Sequence, residues 1–330
     1  MIKYKALWVE EQPDGSFTKS IQDLNIHDLP DHEILISVRY SALNYKDALS
    51  ASGHKGITRT FPFQPGIDAA GVVVESRSKK FRTGDEVLVT GYDLGMNTYG
   101  GFGEYIRVPA DWVVPRPESM TLRDTMIYGT AGFTAGICMQ ELERFEIKGK
   151  DNRKVLVTGA TGGVGTLAVG MLAKAGYHVI ASTGKKDKRE MLLRLGAQEG
   201  IKREDVLDTT GKFMLKGRWD AVIDTVGGNT LSSVIRSTNP RGVICCLGLV
   251  ESDDLCMKIY PFILRGVTLV GIDSAERPMD YRAKLWKRLA TDWLLKDTDF
   301  FVKDVKLDEL PGEIETILWG EQAGKVVVNI

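Results

Sequence analysis

The chain has 330 residues, a length beyond which a single hydrophobic core stops growing, so two lobes are the first expectation. Hydrophobic residues make up 43% of the chain and charged residues 26%, which is the composition of an ordinary globular protein. The 43 basic and 44 acidic side chains give a net charge of -1, and the absence of any long block of like charge argues against nucleic-acid binding.

Two features of the sequence argue against secretion and membrane insertion. Residues 1–8 lead directly into charged and turn residues and lack the apolar core of a signal peptide. The longest apolar stretch, near residues 242–250, is far shorter than the roughly 20 residues that a membrane span needs. We therefore expect a cytoplasmic protein.

The cysteines show no sign of a disulfide framework. Cys245 and Cys246 are adjacent, so their side chains point to opposite faces of the strand that their neighbours predict. Because the sequence contains no Cys-x-x-Cys pair, we expect reduced and buried thiols at positions 138, 245, 246 and 256.

Up to about residue 120 the sequence has the texture of β-structure. Short alternating or apolar runs are separated by turn residues such as Pro13-Asp14-Gly15. The clearest strand candidates are residues 34–38, 71–75 and 86–90. The first lobe is therefore predicted to be rich in β-strands.

The texture changes at Thr121, where a helix cap and an acidic first turn begin a helix. From Lys154 onward, apolar strands alternate with helical patterns at 163–174 and 187–195. Strands that are apolar on both faces and joined by helices predict a parallel sheet covered on both sides. The five strands predicted in this part are residues 154–158, 178–182, 220–224, 242–247 and 268–272. The stretch 324–330 returns to strand texture, and we expect it to join the first lobe.

A glycine-rich run stands between the first of these strands and its helix, at residues 158–165 with the sequence Thr-Gly-Ala-Thr-Gly-Gly-Val-Gly. Glycines there let the backbone turn tightly and approach a pyrophosphate, while the helix N-terminus offers free N–H groups. A glycine-rich turn without a ligand is the alternative. The strand before the run and the helix after it favour a dinucleotide site.

The end of the second strand distinguishes the two nicotinamide dinucleotides. An NAD site places Asp or Glu there to hold the ribose hydroxyls. Here the residues are Ser182, Thr183, Gly184, Lys185 and Lys186, whose hydroxyl and ammonium groups suit a 2′-phosphate. Two cations at the start of a helix also oppose its dipole unless an anion compensates them, so NADPH is the predicted cofactor.

The sequence resembles a known family along almost its whole length. It is similar to the medium-chain dehydrogenase/reductase superfamily, and within it to the zinc-free quinone oxidoreductases and acrylyl-CoA reductases. The segments that carry the resemblance are the glycine run together with residues 43–47 (Leu-Asn-Tyr-Lys-Asp), 65–71 (Pro-Gly-Ile-Asp-Ala-Ala-Gly), 84–87 (Gly-Asp-Glu-Val), 129–135 (Gly-Thr-Ala-Gly-Phe-Thr-Ala), 224–228 (Asp-Thr-Val-Gly-Gly) and 260–266 (Tyr-Pro-Phe-Ile-Leu-Arg-Gly).

The resemblance implies an α/β protein of two domains. A GroES-like, β-rich catalytic domain would comprise residues 1–123 and 297–330. A Rossmann domain with a doubly wound parallel sheet would comprise residues 124–296. The family also implies a cofactor in the cleft between the lobes, and a homodimer.

The strand end and the family pattern together give the predicted cofactor contacts. One departure from relatives is that the strand-end cation is lysine, where they often carry arginine. Lysine offers a charge without a bidentate fork, which loosens selectivity for NADPH. The predicted contacts are Tyr45, Thr130, Thr161, Gly162, Gly163, Val164, Ser182, Thr183, Gly184, Lys185, Arg203, Leu249, Ile263 and Ser274.

The residues argue against a metal. A zinc site needs clustered cysteines, or Cys and His ligands with an open position, and no cysteine precedes Cys138. By the resemblance, Asn44 stands where zinc-dependent relatives have a ligand cysteine, and Ile67-Asp68 replaces their His-Glu pair. The histidines at 27, 32, 54 and 178 show no ligand spacing, so we predict no metal.

Without a Lewis acid, hydride addition to an activated C=C bond is suitable chemistry, because the neighbouring carbonyl spreads the developing charge. The protein must then orient the acceptor and supply a proton. Tyr45 is the first candidate for proton donation or substrate positioning, with Asn44 and Asp47 orienting it or the ribose. A tyrosine that only packs on the cofactor is the alternative for Tyr45. Asp68 is expected to make a buried structural hydrogen bond.

The substrate follows from the resemblance alone. Acrylyl-CoA or a related small enoyl-CoA is the first expectation, and a quinone or another α,β-unsaturated carbonyl is the second. A CoA substrate needs basic residues for its phosphates, and Lys55, Arg59 and Arg277 are candidates. A protein of a different class, which binds NADPH with little turnover, is a third possibility.

Overall fold

The computed structural model describes residues 2–330. The chain divides into two compact units. The first contains the residues up to Thr130 together with Ser274–Ala290 and Val302–Ile330, and the second contains Ala131–Asp273 and Thr291–Phe301. The domain boundaries given above from the sequence stay a prediction.

Strands and helices are numbered in chain order. The strands are β1 Lys3–Glu11, β2 Phe17–Asn25, β3 Ile34–Leu43, β4 Asp68–Ser76, β5 Glu86–Thr90, β6 Tyr105–Val108, β7 Val113–Pro115, β8 Lys154–Val157, β9 His178–Thr183, β10 Glu199–Lys202, β11 Trp219–Asp224, β12 Thr238–Cys246, β13 Thr268–Gly271, β14 Val302–Lys306 and β15 Lys325–Asn329. The α-helices are α1 Tyr45–Ala51, α2 Leu122–Arg144, α3 Gly163–Lys174, α4 Arg189–Arg194, α5 Gly228–Arg236, α6 Tyr260–Arg265, α7 Met279–Leu289 and α8 Leu310–Leu318.

The first unit is built on β-sheet, as its sequence texture predicts. Seven strands form one sheet in the order β14-β15-β3-β4-β5-β7, with β6 paired to β3, and β1 pairs with β2 in a separate antiparallel ribbon. Alternation places one face inward: on β1, Tyr4 and Ala6 are buried while Lys3 and Lys5 are exposed. β15 pairs antiparallel with β3, which confirms that the C-terminal stretch joins the first lobe.

A buried arginine fixes the returning segment 274–290 within the first unit. Arg282 on α7 is 1% exposed, donates to the Thr90 hydroxyl oxygen at the end of β5, and donates to the carbonyl oxygens of Ser274 and Ala275. Its guanidinium group also lies 4.3 Å from the centre of the Tyr92 ring. Five donors in one side chain can satisfy several backbone acceptors at once, so this segment is held to β5.

The second unit is a six-stranded, fully parallel sheet in the order β10-β9-β8-β11-β12-β13. In chain order within the unit this is 3-2-1-4-5-6, the order of a Rossmann fold. α3 has the bounds that the sequence predicts. The helix predicted at 187–195 is shorter, because a 3-10 turn at Lys186–Lys188 precedes α4 and no side chain caps that helix.

The helices and the cysteines bear on two of the expectations from composition. No helix within residues 2–330 is both long and apolar enough to cross a bilayer. All four cysteines are free, and Cys138 and Cys245 are buried as expected. Cys246 is only partly buried, and the expectation of burial is wrong for Cys256, which is exposed in the connection between β12 and α6.

Candidate active site and cofactor site

In the first unit, Asn44 and Asp47 are brought together by the start of α1. Asn44 is the residue before the helix, and its backbone N–H donates to Asp47 Oδ2 at 2.8 Å. The other carboxylate oxygen of Asp47 accepts the backbone N–H of Ile67 at 2.7 Å. Asp47 is fully buried, so it acts on its neighbours and not directly on a solvent-facing ligand.

Asp68, at the start of β4, joins this arrangement. Its Oδ2 accepts the Asn44 side-chain N–H at 2.9 Å, and its Oδ1 accepts the Thr130 hydroxyl at 2.6 Å. The backbone N–H of Thr130 also donates to the same carboxylate at 3.0 Å. The prediction that Asp68 makes buried structural hydrogen bonds is confirmed.

Thr130 reaches Asp68 because α2 is broken one residue earlier. Gly129 has φ 47° and ψ -150°, a conformation that only glycine adopts readily. A Cβ atom at this position would overlap Asp68 Oδ2. The break therefore depends on glycine for both its backbone angle and its space.

Lys325 completes the group at the start of β15. Its side chain is fully buried, and its Nζ lies 3.4 Å from Asn44 Oδ1. We call Asn44, Asp47, Asp68, Thr130 and Lys325 the Asn44 cluster. Burial, followed by the nearby Asp68 charge, raises the pKa of Asp47 to about 7, against the effect of hydrogen bonds from Ile67 and Asn44.

Tyr45, the first candidate for catalysis, is the first residue of α1 and follows Asn44 directly. It is half-buried. Asn44 is held from both sides by the cluster, so the start of the helix that carries Tyr45 has a fixed position within the first unit. The role of Tyr45, Asn44 and Asp47 in catalysis stays a prediction.

The donor chemistry of this site differs from that of a metal centre. Its side chains are two carboxylates, an amide, a hydroxyl and an ammonium group. Across residues 2–330, no group of three or more His, Cys, Asp or Glu side chains is arranged to hold a metal ion. The absence of a metal stays a prediction.

In the second unit, the glycine run forms a tight turn between β8 and α3. Gly159 has φ 56°, and a Cβ atom there would overlap the Thr225 hydroxyl. A Cβ atom on Gly165 would overlap the backbone of Gly159 and Ala160. No side chain caps the N-terminus of α3, so its first N–H groups are the free donors that a phosphate requires.

The predicted 2′-phosphate residues lie beside this turn. The Thr161 and Thr183 hydroxyl oxygens are 3.0 Å apart, which ties the turn to the end of β9. The Thr183 hydroxyl also accepts the backbone N–H of Lys185 at 3.0 Å. The guanidinium group of Arg203 lies against Gly184, where a Cβ atom would stand 3.1 Å from its Nη2. This strand end thus gathers two cationic side chains.

A second buried carboxylate supports the turn from the next strand. Asp224, at the end of β11, accepts the Thr158 hydroxyl at 2.7 Å and the backbone N–H of Gly227 at 2.8 Å. Burial raises the pKa of Asp224 to about 6, against the effect of these hydrogen bonds. Asp224 therefore supports the glycine turn between β8 and α3, and sequence reasoning gave Asp224 no role beyond the family motif.

The remaining predicted contacts are distributed over both units. Leu249 and Ile263 are exposed apolar side chains of the second unit, 59% and 66% accessible. Ser274 belongs to the first unit, where its carbonyl oxygen is held by Arg282. Of the three cations suggested for CoA phosphates, Lys55 is paired with Glu11 at 2.6 Å, which weakens its case.

Lys325 is the member of the Asn44 cluster that sequence reasoning missed. In the sequence it comes directly before three valines, a position where a lysine is usually a solvated flanking charge. The available signal was the strand's return to the first lobe. That prediction placed Lys325 in the first lobe without indicating the neighbouring strand or the direction of its side chain.

Comparison with known proteins agrees with the two-domain organisation of the chain. The model of the alcohol dehydrogenase GroES-like domain matches residues 30–118, and the model of the zinc-binding dehydrogenase family matches residues 163–291. The fold and the glycine turn define a medium-chain dehydrogenase/reductase. The chain belongs to the zinc-free quinone oxidoreductase and acrylyl-CoA reductase subgroup of that superfamily.

Two relatives carry this assignment. The Bacillus subtilis protein named "Putative quinone oxidoreductase YhfP" is 43% identical over 330 residues, and the match covers 99% of each chain. The Ruegeria pomeroyi protein named "Acrylyl-CoA reductase AcuI" is 36% identical over 328 residues, with 99% of each chain covered.

Two solved structures have the same fold. The Salmonella enterica yhdH oxidoreductase in complex with NADP has a TM-score of 0.94 and 38% identity, and the match covers 99% of each chain. Bacillus subtilis yhfP with NAD bound has a TM-score of 0.95 and 42% identity, and the match covers all of each chain. The predicted fold class and family are confirmed.

Proposed function

We propose that this chain is an NADPH-dependent, metal-free oxidoreductase that reduces the activated C=C bond of acrylyl-CoA, giving propanoyl-CoA, or of a related small enoyl-CoA. The observation that carries the cofactor part is the strand end at Thr183 and Lys185. Arg203 lies against Gly184 there, and no carboxylate stands where an NAD site would place one. Relatives with NADP and with NAD bound support the nicotinamide cofactor and leave its selectivity to be measured.

Within this proposal, the second unit binds the cofactor phosphates. The N-terminus of α3 offers backbone N–H groups to the pyrophosphate, and Lys185 with Arg203 neutralises the 2′-phosphate. The bound cofactor supplies the hydride. Lys185 adds a charge without a bidentate fork, whereas the Arg203 guanidinium group can bind a phosphate through two N–H groups.

The first unit supplies proton donation and positioning. Tyr45 offers a phenol that can donate a hydrogen bond to the developing enolate oxygen, or the proton that completes the reduction. Asn44 and Asp47 keep the start of α1 in place, and Thr130 is held by Asp68. Asp47 and Asp68 are buried, so they position other groups and do not touch the substrate.

The identity of the hydride acceptor is tested by comparing two substrates. Purified protein is assayed for NADPH and NADH oxidation with acrylyl-CoA and with a quinone, and we expect the highest kcat/KM with NADPH and acrylyl-CoA. A higher value with the quinone would favour the second expectation. Tight NADPH binding with oxidation by neither acceptor would identify a binding protein with little turnover.

Variants in the same assay test the proposed roles of Lys185 in the second unit and Tyr45 in the first unit. Lys185→Asp should lower kcat/KM for NADPH by about tenfold or more and change the value for NADH much less, since it repels only the 2′-phosphate. Lys216→Asp is the matched control, because Lys216 is an exposed lysine in the loop before β11.

Tyr45→Phe should lower kcat by about 100-fold if the phenol donates the proton. Equal effects of Lys185→Asp on both cofactors, or unchanged turnover of Tyr45→Phe, would contradict these roles.

We also propose that the chain forms a homodimer through the second unit. β13 is an edge strand of its sheet, and Ile259, Ile263 and Leu264 around the preceding helix are 64–66% exposed. An unpaired strand edge beside exposed apolar side chains is a surface that soluble proteins usually cover. The cytoplasmic location and the absence of nucleic-acid partners stay predictions.

A further inference from the structure

A lysine buried among polar side chains needs partners, because an isolated ammonium ion is costly to remove from water. Lys325 is fully buried in the first unit, and its Nζ points to Asn44 Oδ1 at 3.4 Å. Burial lowers the pKa of Lys325, while the charges of Asp68 and Asp47 raise it. The lysine is thus a buried cation in contact with Asn44, and its charge interacts favourably with the two buried carboxylates of the Asn44 cluster.

The partners of Asn44 allow one orientation of its amide. Its Oδ1 faces the Lys325 ammonium group, and its Nδ2 donates to Asp68 Oδ2 at 2.9 Å and to Asp47 Oδ2 at 3.2 Å. If the amide were flipped, an N–H group would face the ammonium, and an oxygen would face the Asp68 carboxylate. The Lys325 ammonium group and the Asp68 carboxylate therefore select the same orientation of the amide.

The orientation of the Asn44 amide affects the positions of the residues proposed for the reaction. Asn44 directly precedes Tyr45, and its backbone N–H is tied to Asp47. The Asp68 carboxylate that accepts from Asn44 through Oδ2 also accepts the Thr130 N–H at Oδ2 and the Thr130 hydroxyl at Oδ1. A substitution of Lys325 therefore affects the position of Tyr45 through Asn44. It affects the position of Thr130 through Asn44 and Asp68.

We propose that Lys325 is a positioning residue for the reaction: its ammonium group orients the Asn44 amide and thereby fixes the segments that carry Tyr45 and Thr130. This inference rests on the proposed function for its kinetic consequence. The contact between Lys325 and Asn44 is independent of the substrate, so it can also be tested through stability alone.

The test is a double-mutant cycle between Lys325→Met and Asn44→Ala, with kcat normalised to the folded fraction. Methionine keeps much of the lysine side-chain volume and removes the charge. We expect Lys325→Met to lower kcat by about tenfold or more and to raise the Kd for NADPH by a smaller factor, because the residues proposed to bind the cofactor phosphates lie in the second unit. In the Asn44→Ala background, the same substitution should change kcat by less than about twofold.

Two controls keep the test decisive. Lys303→Met removes an exposed lysine from the neighbouring strand β14, where it is paired with Glu313, and should leave kcat unchanged. If Lys325→Met does not fold, Lys325→Arg and Lys325→Gln replace it in the cycle; the charged variant should retain a higher kcat than the neutral one. Retention of full kcat by Lys325→Met, or an equal loss in both backgrounds, would overturn the proposal.

The same four proteins are also compared by thermal unfolding. If the wild type reduces neither acrylyl-CoA nor a quinone, the proposed function fails, and the unfolding data still decide the contact. We expect the two substitutions to lower Tm by clearly less together than the sum of their separate effects. Additive shifts in Tm would refute the Lys325–Asn44 interaction itself.

Discussion

At the scale of single residues, Asp47 shows how burial can outweigh hydrogen bonding. Two backbone N–H groups donate to its carboxylate oxygens, and such bonds favour the charged form. Full burial and the charge of Asp68 oppose them more strongly, so the pKa of Asp47 is raised to about 7 from its usual 3.8. The folded protein therefore holds a proton on Asp47 at pH values where the unfolded chain has released it.

This proton makes stability depend on pH. The folded state binds more protons than the unfolded state between about pH 4 and pH 7, so the free energy of unfolding falls as pH rises through this range. In Asp47→Asn that part of the fall should disappear, at most about 1.4 kcal/mol per pH unit. Asp224, with its pKa raised to about 6, should leave a smaller slope below pH 6.

The measurement is the urea midpoint at several pH values from 4 to 8. Asp23→Asn is the control, because Asp23 is exposed on β2 and should keep the slope of the wild type. Equal slopes for Asp47→Asn and the wild type would show that Asp47 releases its proton at the same pH in both states.

Part of the candidate site, Asn44 and Asp47, could be predicted from the sequence. Asn44 and Asp47 stand in one short motif, and a residue pair three apart at a helix start is recognisable from sequence. Lys325 could not be found in that way, because it lies 281 residues from Asn44 and a fully buried lysine is rare. Its role depends on the register of β15 against β3, which the strand pattern does not determine.

At the scale of elements, the break in α2 is the feature on which Asp68 depends. The sequence 129–135 indicates a helix rich in alanine and glycine, and the helical segments before and after Gly129 together form one element from Leu122 to Arg144. Only the backbone angles at Gly129 show that the Thr130 N–H is turned away from the helix toward Asp68. A glycine in a helical pattern has several explanations, so its positive φ could not be predicted.

We expect Gly129→Ala to be strongly destabilising. The residue has φ 47°, and the new Cβ atom would overlap Asp68 Oδ2, so strain and overpacking together should lower the free energy of unfolding by about 3 kcal/mol. Gly312→Ala in α8 is the control, since that position has open space and alanine should stabilise the helix by about 0.5–1 kcal/mol. Urea unfolding measures both, and a Gly129→Ala midpoint equal to that of the wild type would contradict the strained break.

The regular elements of the second unit were the easiest to predict. β8, α3 and β9 follow from an apolar strand, a glycine turn and a second apolar strand, and the bounds of α3 match the sequence pattern. The start of α4 was less well predicted because Lys188 supplies no capping side chain. Where a capping residue or a glycine marks the end of a helix, the sequence predicts that end. At other positions tertiary packing determines where the helix begins or ends.

At the scale of the whole molecule, chain order and spatial order differ. Ser274–Ala290 belongs to the first unit although it follows the last strand of the Rossmann sheet. The reason is the contact of Arg282 with Thr90 and the 274–275 carbonyl groups, which connects residues almost 200 apart. Hydrophobic periodicity reports on neighbours in sequence, so this return could not be predicted from it.

The proposed homodimer is tested at this scale. Leu264→Asp places a charge on the exposed apolar surface beside β13, and we expect it to shift the mass in solution from dimer to monomer, as measured by light scattering after size exclusion. Leu193→Asp is the control, because Leu193 is 49% exposed on α4, at the opposite edge of the sheet. A wild type that is monomeric at micromolar concentration would refute the dimer.

The position of β15 also has a consequence for the order in which the chain matures. β15 lies between β14 and β3, so β3 is synthesised long before its neighbour on that side exists. The strands of the second unit, from Lys154 to Gly271, leave the ribosome as one continuous block and can pair in that order. Asn44 and Asp68 receive their cation only when Lys325 has emerged, so the site in the first half of the sequence is completed after the nucleotide fold in the second half.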